Sequence, residues 1–249
     1  MASDAFSKRL TLFDTALVTG AGRGLGAALA RALAARGVRV VLTARSEAEL
    51  RDVVSSIRAA GGEAHAVPAD VGDKRAVYPL AGRAAHLVGP IDLLVNNASE
   101  LGPTPLRALL DTDCETLERV LQVNVVGPFR LSKALGGSMA LRRRGTIVNV
   151  SSDAALNAYA GWGAYSASKA ALDQLGRVLA VELAEHGVRV LGVDPGEMAT
   201  AMHRAALPEA DPATLASPES VAARLLELVE DGGVPSGARV ELASWRAAS

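Results

Sequence analysis

Ala16-Leu17-Val18-Thr19-Gly20-Ala21-Gly22-Arg23-Gly24-Leu25-Gly26 decides how this chain folds. A short apolar run passes directly into a glycine cluster, and from Leu25 to Arg36 apolar residues recur at helical spacing. A strand that turns straight into a helix through glycines makes a phosphate cradle. Glycine allows the tight turn and lets a pyrophosphate approach the backbone. The helix that follows presents unpaired N–H groups at its positive dipole end. Two registers fit. Gly22, Gly24 and Ala27 satisfy G-x-G-x-x-G/A, while Gly20, Gly24 and Gly26 form a second frame, preferred for the motifs downstream.

Outward from this turn, short β-branched runs alternate with helical patterns. The runs are Ala16 to Thr19, Val38 to Thr43, Glu63 to Val67, Ile91 to Val95, Thr146 to Val150, Val188 to Val193 and Arg239 to Leu242. Such alternation implies right-handed crossovers and a parallel sheet covered on both faces. Nearly continuous apolar strands such as Val38-Arg39-Val40-Val41-Leu42 suit that burial. The expected fold is α/β: a single-domain, Rossmann-like, doubly wound parallel sheet of about seven strands over residues 1–249, with a short N-terminal extension at 1–13. Two irregular stretches, Glu100 to Pro105 and Met198 to Pro218, follow strand C-termini, where such sheets hold ligands. The second reads equally as a lid or a plain surface connection.

Composition narrows the function classes. The chain has 249 residues, 49% of them apolar, and a formal net charge of −1, so nucleic acid is not an implied partner. Arg142-Arg143-Arg144 is the one basic run and is expected to face solvent. Cys114 is the single cysteine, which implies a reducing, cytoplasmic setting. The four histidines lack ligand spacing, so no metal site is expected. No stretch approaches the 18 apolar residues of a membrane span.

The chemistry centres on Tyr165-Ser166-Ala167-Ser168-Lys169. Residues at i and i+4 share a helix face, which brings a phenol and an ammonium together. A free tyrosine has a pKa of about 10, and a nearby positive charge lowers it. Reaching about 7 takes roughly 4 kcal/mol. The pair therefore reads as a tuned general acid–base.

Thr19-Gly-x-x-x-Gly-x-Gly26, Asp70-Val71, Asn96-Asn97-Ala98, Asn124, Ser152, Tyr165-x-x-x-Lys169 and Pro195-Gly196 stand in the order and spacing of the short-chain dehydrogenase/reductase family. The resemblance spans roughly residues 14 to 243. It implies a nicotinamide coenzyme and hydride transfer with a carbonyl or alcohol carbon. By that resemblance Tyr165 exchanges the proton, Lys169 lowers its pKa and binds the nicotinamide ribose, and Ser152 polarises the substrate oxygen. Asn124 anchors a water leading from Lys169 to solvent. Ser151 is the rival to Ser152, but strand alternation points it the other way. Gly20, Arg23, Gly24, Leu25 and Gly26 make the phosphate turn. Asp70 and Val71 meet the adenine, although Asp70 also reads as a cap for a helix over 72–87. Asn97 and Ala98 line the nicotinamide ribose. Pro195, Gly196, Met198 and Thr200 lie at the nicotinamide end.

Departures from the family pattern carry information too. Ser99 replaces the glycine that commonly follows Asn-Asn-Ala, and the ending Gly237 to Trp245 lacks the usual Asp-Gly-Gly. An NAD-preferring site needs a carboxylate after the second strand. Here Thr43-Ala44-Arg45 stands instead, and Arg45 with Arg23 suits a 2′-phosphate. The coenzyme implied is NADP(H), with NAD(H) the alternative. Ser151 to Ala154 with Trp162 to Tyr165 is similar to the branch containing sepiapterin reductase and benzil reductase, which reduce diketone-like carbonyls. Trp162 reads as pocket wall or subunit contact, Tyr159 and Met202 as pocket candidates, and His203 as a solvent-facing lid residue. The family implies a homodimer or homotetramer formed through the helix of Tyr165 and one over 111–135, a small-molecule substrate, and no membrane. A non-catalytic, dinucleotide-sensing regulator on the same fold is the second reading; it predicts loss of the catalytic residues, and all four are present.

Overall fold

The computed structural model describes residues 12–247, so nearly all of the 1–13 extension lies outside the described residues. The strands are β1 (Thr15–Thr19), β2 (Arg39–Thr43), β3 (Ala64–Ala66), β4 (Leu93–Asn96), β5 (Gly145–Val150), β6 (Val188–Asp194) and β7 (Arg239–Glu241). They form one seven-stranded sheet, order β3-β2-β1-β4-β5-β6-β7, and every pairing is parallel. The helices are α1 (Gly24–Ala35), α2 (Glu47–Ala59), α3 (Val77–Val88), α4 (Cys114–Leu121), α5 (Gly127–Arg142), α6 (Gly163–Leu183), α7 (Ala201–Ala206) and α8 (Pro218–Glu230). The strand order reverses between β1 and β4, which opens a crevice at their carboxyl ends.

Strand alternation builds both faces. Val18, Val40 and Val95 join α1, α2 and α8 through Leu29, Leu33, Leu50, Val53 and Leu225. Leu17, Val41 and Leu94 point the other way, onto Leu80 of α3 and Leu131, Leu135 and Met139 of α5. Each fully buried Leu or Val contributes about 1.5–3 kcal/mol.

Three expectations are corrected. The helix after Asp70 begins only at Val77, with no side-chain cap. Asp70 instead accepts the N–H of Gly72 at 2.8 Å and closes a local turn. The region 111–135 is not one helix: α4 and α5 meet in a π-turn at Gln122–Val126. Pro128 has no N–H to give to the carbonyl of Asn124, four residues back, so regular α-hydrogen bonding cannot pass this point. Of the arginine run, Arg142 is 2.7 Å from Asp92 and Arg144 reaches Asp14 at 2.9 Å and Asp92 at 3.2 Å. Asp92 is buried, and a buried carboxylate must be paired.

The 198–218 segment leaves and rejoins the sheet edge. Met198 bridges Ala216, and the Thr200 hydroxyl accepts the N–H of His203 to start α7. Its two ends are thereby clamped together beside the crevice.

Two glycines test the packing. A Cβ on Gly26 would lie 2.4 Å from the Gly20 carbonyl oxygen, while one on Gly82, inside α3, would meet nothing within 4 Å. Gly26→Ala should destabilise by about 1–3 kcal/mol or more, and Gly82→Ala should stabilise by about 0.5–1 kcal/mol. Urea unfolding of both variants checks this; equal effects would contradict the packing.

Candidate active site

The carboxyl ends of β1, β4, β5 and β6 open into a cleft of about 1400 Å³. At its floor lies the glycine turn. Gly20 and Gly24 have φ of +64° and +54°, where side chains are strained. A Cβ on Gly20 would sit 2.8 Å from Ala98 Cα, whereas one on Gly22 would meet only the movable Glu49 side chain at 2.9–3.0 Å. The backbone therefore requires glycine in the Gly20, Gly24, Gly26 frame. Ser46 caps α2 and Ser217 caps α8, but α1 has no side-chain cap and no acid in its first turn. Its first N–H groups are left to an anion in the cleft. These residues fit a dinucleotide pyrophosphate.

Beside the turn, the Thr19 hydroxyl accepts the N–H groups of Asn97 and Ala98, both at 2.9 Å. The Asn97 side chain donates to the Thr19 carbonyl at 2.8 Å. These bonds fix Asn97 and Ala98 against the cradle. At the end of β2, Thr43 is fully buried with its hydroxyl unpaired, and it lines the cleft with Ala44, Arg45 and Arg23. Arg45 and Arg23 have side chains 67% and 69% exposed, and each rests on a carboxylate: Arg45 on Glu100 at 3.6 Å, Arg23 on Glu49 at 3.4 Å. Arg119 bridges Glu100 at 3.2 Å and Asp70 at 2.9 Å. Arg119 and Glu100 belong to no motif in the sequence and were not foreseen there. Val71, Leu25, Pro195, Gly196, Met198 and Thr200 all line the cleft.

At the far end β5 delivers Ser152 and α6 delivers Tyr165 and Lys169. Ser151 and Ser152 both line the cleft; Ser151 is buried with its hydroxyl unpaired, and Ser152 donates to Asp153 Oδ1 at 3.0 Å. Asp153 also accepts the Tyr159 hydroxyl at 2.7 Å. Trp162 packs edge-on against Tyr165, ring centroids 5.7 Å apart, and against Tyr159 at 6.5 Å, so it is a cleft wall. Lys169 is 2% exposed. Its Nζ donates to the Val150 carbonyl at 2.8 Å and lies 5.4 Å from the Tyr165 ring centroid.

The electrostatics differ from expectation. The sequence reading has Lys169 lowering the tyrosine pKa. In the structure burial pushes the Tyr165 phenol up to about 12, against an opposing pull from the Ser152 hydroxyl. Burial also lowers Lys169 to about 8, against the attraction of Asp173 and Asp194. Desolvation is the largest cause of both shifts.

Asn124 lies behind the cleft wall, fully buried in the π-turn. Its amide accepts the Glu100 N–H at 2.8 Å and donates to the Glu100 carbonyl and the Ser168 hydroxyl, both at 2.9 Å. The side chain is thus fully engaged by protein. His203 is turned inward, with its side chain 13% exposed and Nε2 3.8 Å from Glu197, rather than facing solvent. Among the described residues no group of His, Cys, Asp and Glu is placed to hold a metal, and no helix is long and apolar enough to cross a membrane.

The short chain dehydrogenase family model matches residues 14–211, and the chain belongs to that family of NAD(P)-dependent oxidoreductases. It is 40% identical over 187 residues to 2,3-dihydro-2,3-dihydroxybenzoate dehydrogenase of Bacillus subtilis, covering 75% of this chain and 70% of that one. A metagenomic short-chain oxidoreductase in complex with NADP superposes with a TM-score of 0.80 at 34% identity, covering 94% of this chain and 98% of that one. Actinorhodin polyketide ketoreductase with NADPH gives 0.84 at 29% identity, covering 93% and 98%.

The buried lysine makes a stability prediction. Its pKa is 10.5 in the unfolded chain and about 8 when folded. Between those values the unfolded state binds the extra proton, so this group adds stability as pH rises, by roughly 3 kcal/mol in all. Tyr165, raised from 10 to about 12, opposes this only above pH 10. Wild type should therefore gain on Lys169→Met in urea unfolding between about pH 8 and 10. A difference independent of pH would refute the burial account.

Proposed function

We propose that the protein transfers hydride between NADP(H) and a carbonyl or secondary-alcohol carbon of a small molecule, with Tyr165 as general acid and base. The observation that carries this reading is one cleft joining an anion cradle and two arginines at one end to Tyr165, Ser152 and Lys169 at the other. Gly20, Gly24, Leu25 and Gly26 would hold the pyrophosphate. Arg45, Arg23 and Thr43 would meet the 2′-phosphate, and Asp70 and Val71 the adenine. Asn97, Ala98, Lys169, Pro195, Gly196, Met198 and Thr200 would surround the nicotinamide half. When bound, the coenzyme supplies or receives the hydride.

The protein's own part is to manage the proton and the charge. In reduction, Ser152 donates a hydrogen bond to the carbonyl oxygen, and Tyr165 gives that oxygen its proton as negative charge develops there. The phenolate left behind lies beside the Lys169 ammonium, which stabilises it. At neutral pH the raised phenol keeps its proton and the lysine is charged. This is the state that reduction requires. Asn124 holds the loop at Glu100 against Ser168, one residue before Lys169.

The relatives crystallised with NADP and NADPH support the coenzyme assignment. The arginines rest on exposed or half-exposed carboxylates, and a 2′-phosphate would take their place. The chain is also proposed to be a cytoplasmic homodimer or homotetramer. Val178 and Val181 on α6 and Phe129 on α5 are exposed, the composition expected of a subunit contact.

Tyr165→Phe should lower turnover by about 10² or more and leave coenzyme affinity within a few-fold. NADPH oxidation with a panel of ketones and α-diketones checks this, and near-wild-type turnover would defeat the assignment. Arg45→Ala should weaken NADPH about ten- to a hundredfold and barely change NADH. Titration calorimetry with both coenzymes decides it: tighter NADH binding by wild type would overturn the preference.

A further inference from the structure

We propose that Arg239, on the last strand, is a positioning residue for this site: it holds the catalytic serine from behind and balances two buried carboxylates that flank Lys169. The proposal rests on the function given above only where it concerns substrate binding.

The Arg239 side chain is 8% exposed and fans across three elements. Its Nε is 3.1 Å from Asp173 Oδ2 on α6, and its Nη2 is 3.0 Å from Asp194 Oδ2 at the end of β6. The same Nη2 donates to the Ser152 carbonyl at 2.8 Å. Nη1 meets the exposed Glu241 at 3.3 Å. The guanidinium fork thus ties β5, β6 and α6 at the point where each delivers a site residue. The Gly237 to Trp245 ending, which departs from the pattern of many relatives, supplies this group.

Charge adds a second consequence. Asp173 lies one helical turn beyond Lys169 on the same face. The charged and titratable groups that act on Lys169 are Asp173 from α6 and Asp194 from β6, with the Tyr165 ring of α6 against its Nζ. Both carboxylates are buried, and Arg239 pairs with both. Without it both would act on the ammonium unopposed, and the lysine would hold its proton to higher pH. A strap with only a structural role would leave that proton alone.

The test reads Lys169 without turnover. The pH dependence of unfolding is compared with and without Lys169→Met, first in wild type and then in Arg239→Met. The folded-state Lys169 midpoint, where the gain over Lys169→Met begins, is expected near 8 in wild type, and Arg239→Met should raise this midpoint by about one unit or more. Adding Asp173→Asn should bring it most of the way back. Arg239→Lys keeps the charge but cannot span all three acceptors. It should leave the midpoint within a few tenths while raising KM for the carbonyl several-fold. If Arg239→Met does not fold, Arg239→Gln, which retains a donor for the Ser152 carbonyl, carries the same measurement. An unmoved midpoint in the neutral variant, or an equal displacement in Arg239→Lys, would overturn the proposal. A Tyr165→Phe enzyme with full activity would instead defeat the reductase reading and leave this midpoint intact.

Discussion

An ammonium buried to 2% exposure must be compensated, and the catalytic half of this molecule is arranged around that requirement for Lys169. The Val150 carbonyl accepts its proton at 2.8 Å, the Tyr165 ring lies across it, and Asp173 and Asp194 set the local field. The partners come from three elements, Val150 from β5, Tyr165 and Asp173 from α6 and Asp194 from β6, so these cannot shift independently without exposing or unpairing the charge. Arg239 closes the arrangement by pairing both carboxylates. Burial has a chemical result as well. It keeps the phenol neutral and brings the lysine close to its titration point, so small changes in nearby charge alter both groups.

The coenzyme half depends on close approach rather than on charge. Gly20, Gly26 and Asn97 pack so tightly that a methyl group would collide with backbone or with the Asn97 amide. Only then do the uncapped N–H groups of α1 face the cleft. A chain of ion pairs, Arg45–Glu100–Arg119–Asp70, runs along the wall of the cleft. The Glu100 backbone also holds the Asn124 amide from both sides. One residue therefore contacts Arg45, proposed above to meet the 2′-phosphate, through its side chain and the π-turn through its main chain.

Much of this was legible from local pattern. β-branched and apolar runs separated by helical spacing marked six strands and a weaker run, Glu63 to Val67, marked β3, and the i, i+4 pair placed Tyr165 and Lys169 on one face. The start of α3 was not legible, because Asp70 satisfies a turn as readily as a helix cap. The π-turn at Asn124 was missed because apolar spacing continues through it; the local clue was Pro128, which withholds a helical donor. Arg142 and Arg144 were expected to face solvent, and nothing in the sequence marked Arg119 or Arg239 for an ion pair. Their partners lie up to 132 residues away in sequence, as for Arg144 and the Leu12 carbonyl, and no periodicity reports such pairs. The direction of the Tyr165 shift failed for a related reason: spacing locates two groups near each other but does not give their burial, and burial decides the sign.

The claim at the centre of this account is that Tyr165 is the proton-exchanging group and that the nicotinamide of the coenzyme lies against it. A spectrophotometric titration of tyrosinate, taken as the difference between wild type and Tyr165→Phe, tests it without knowledge of the substrate. Free protein should ionise this phenol near pH 12. Saturation with NADP⁺ places a cationic ring beside it and should lower that midpoint by about one unit or more. A midpoint that stays where it is under saturating NADP⁺ would contradict the account.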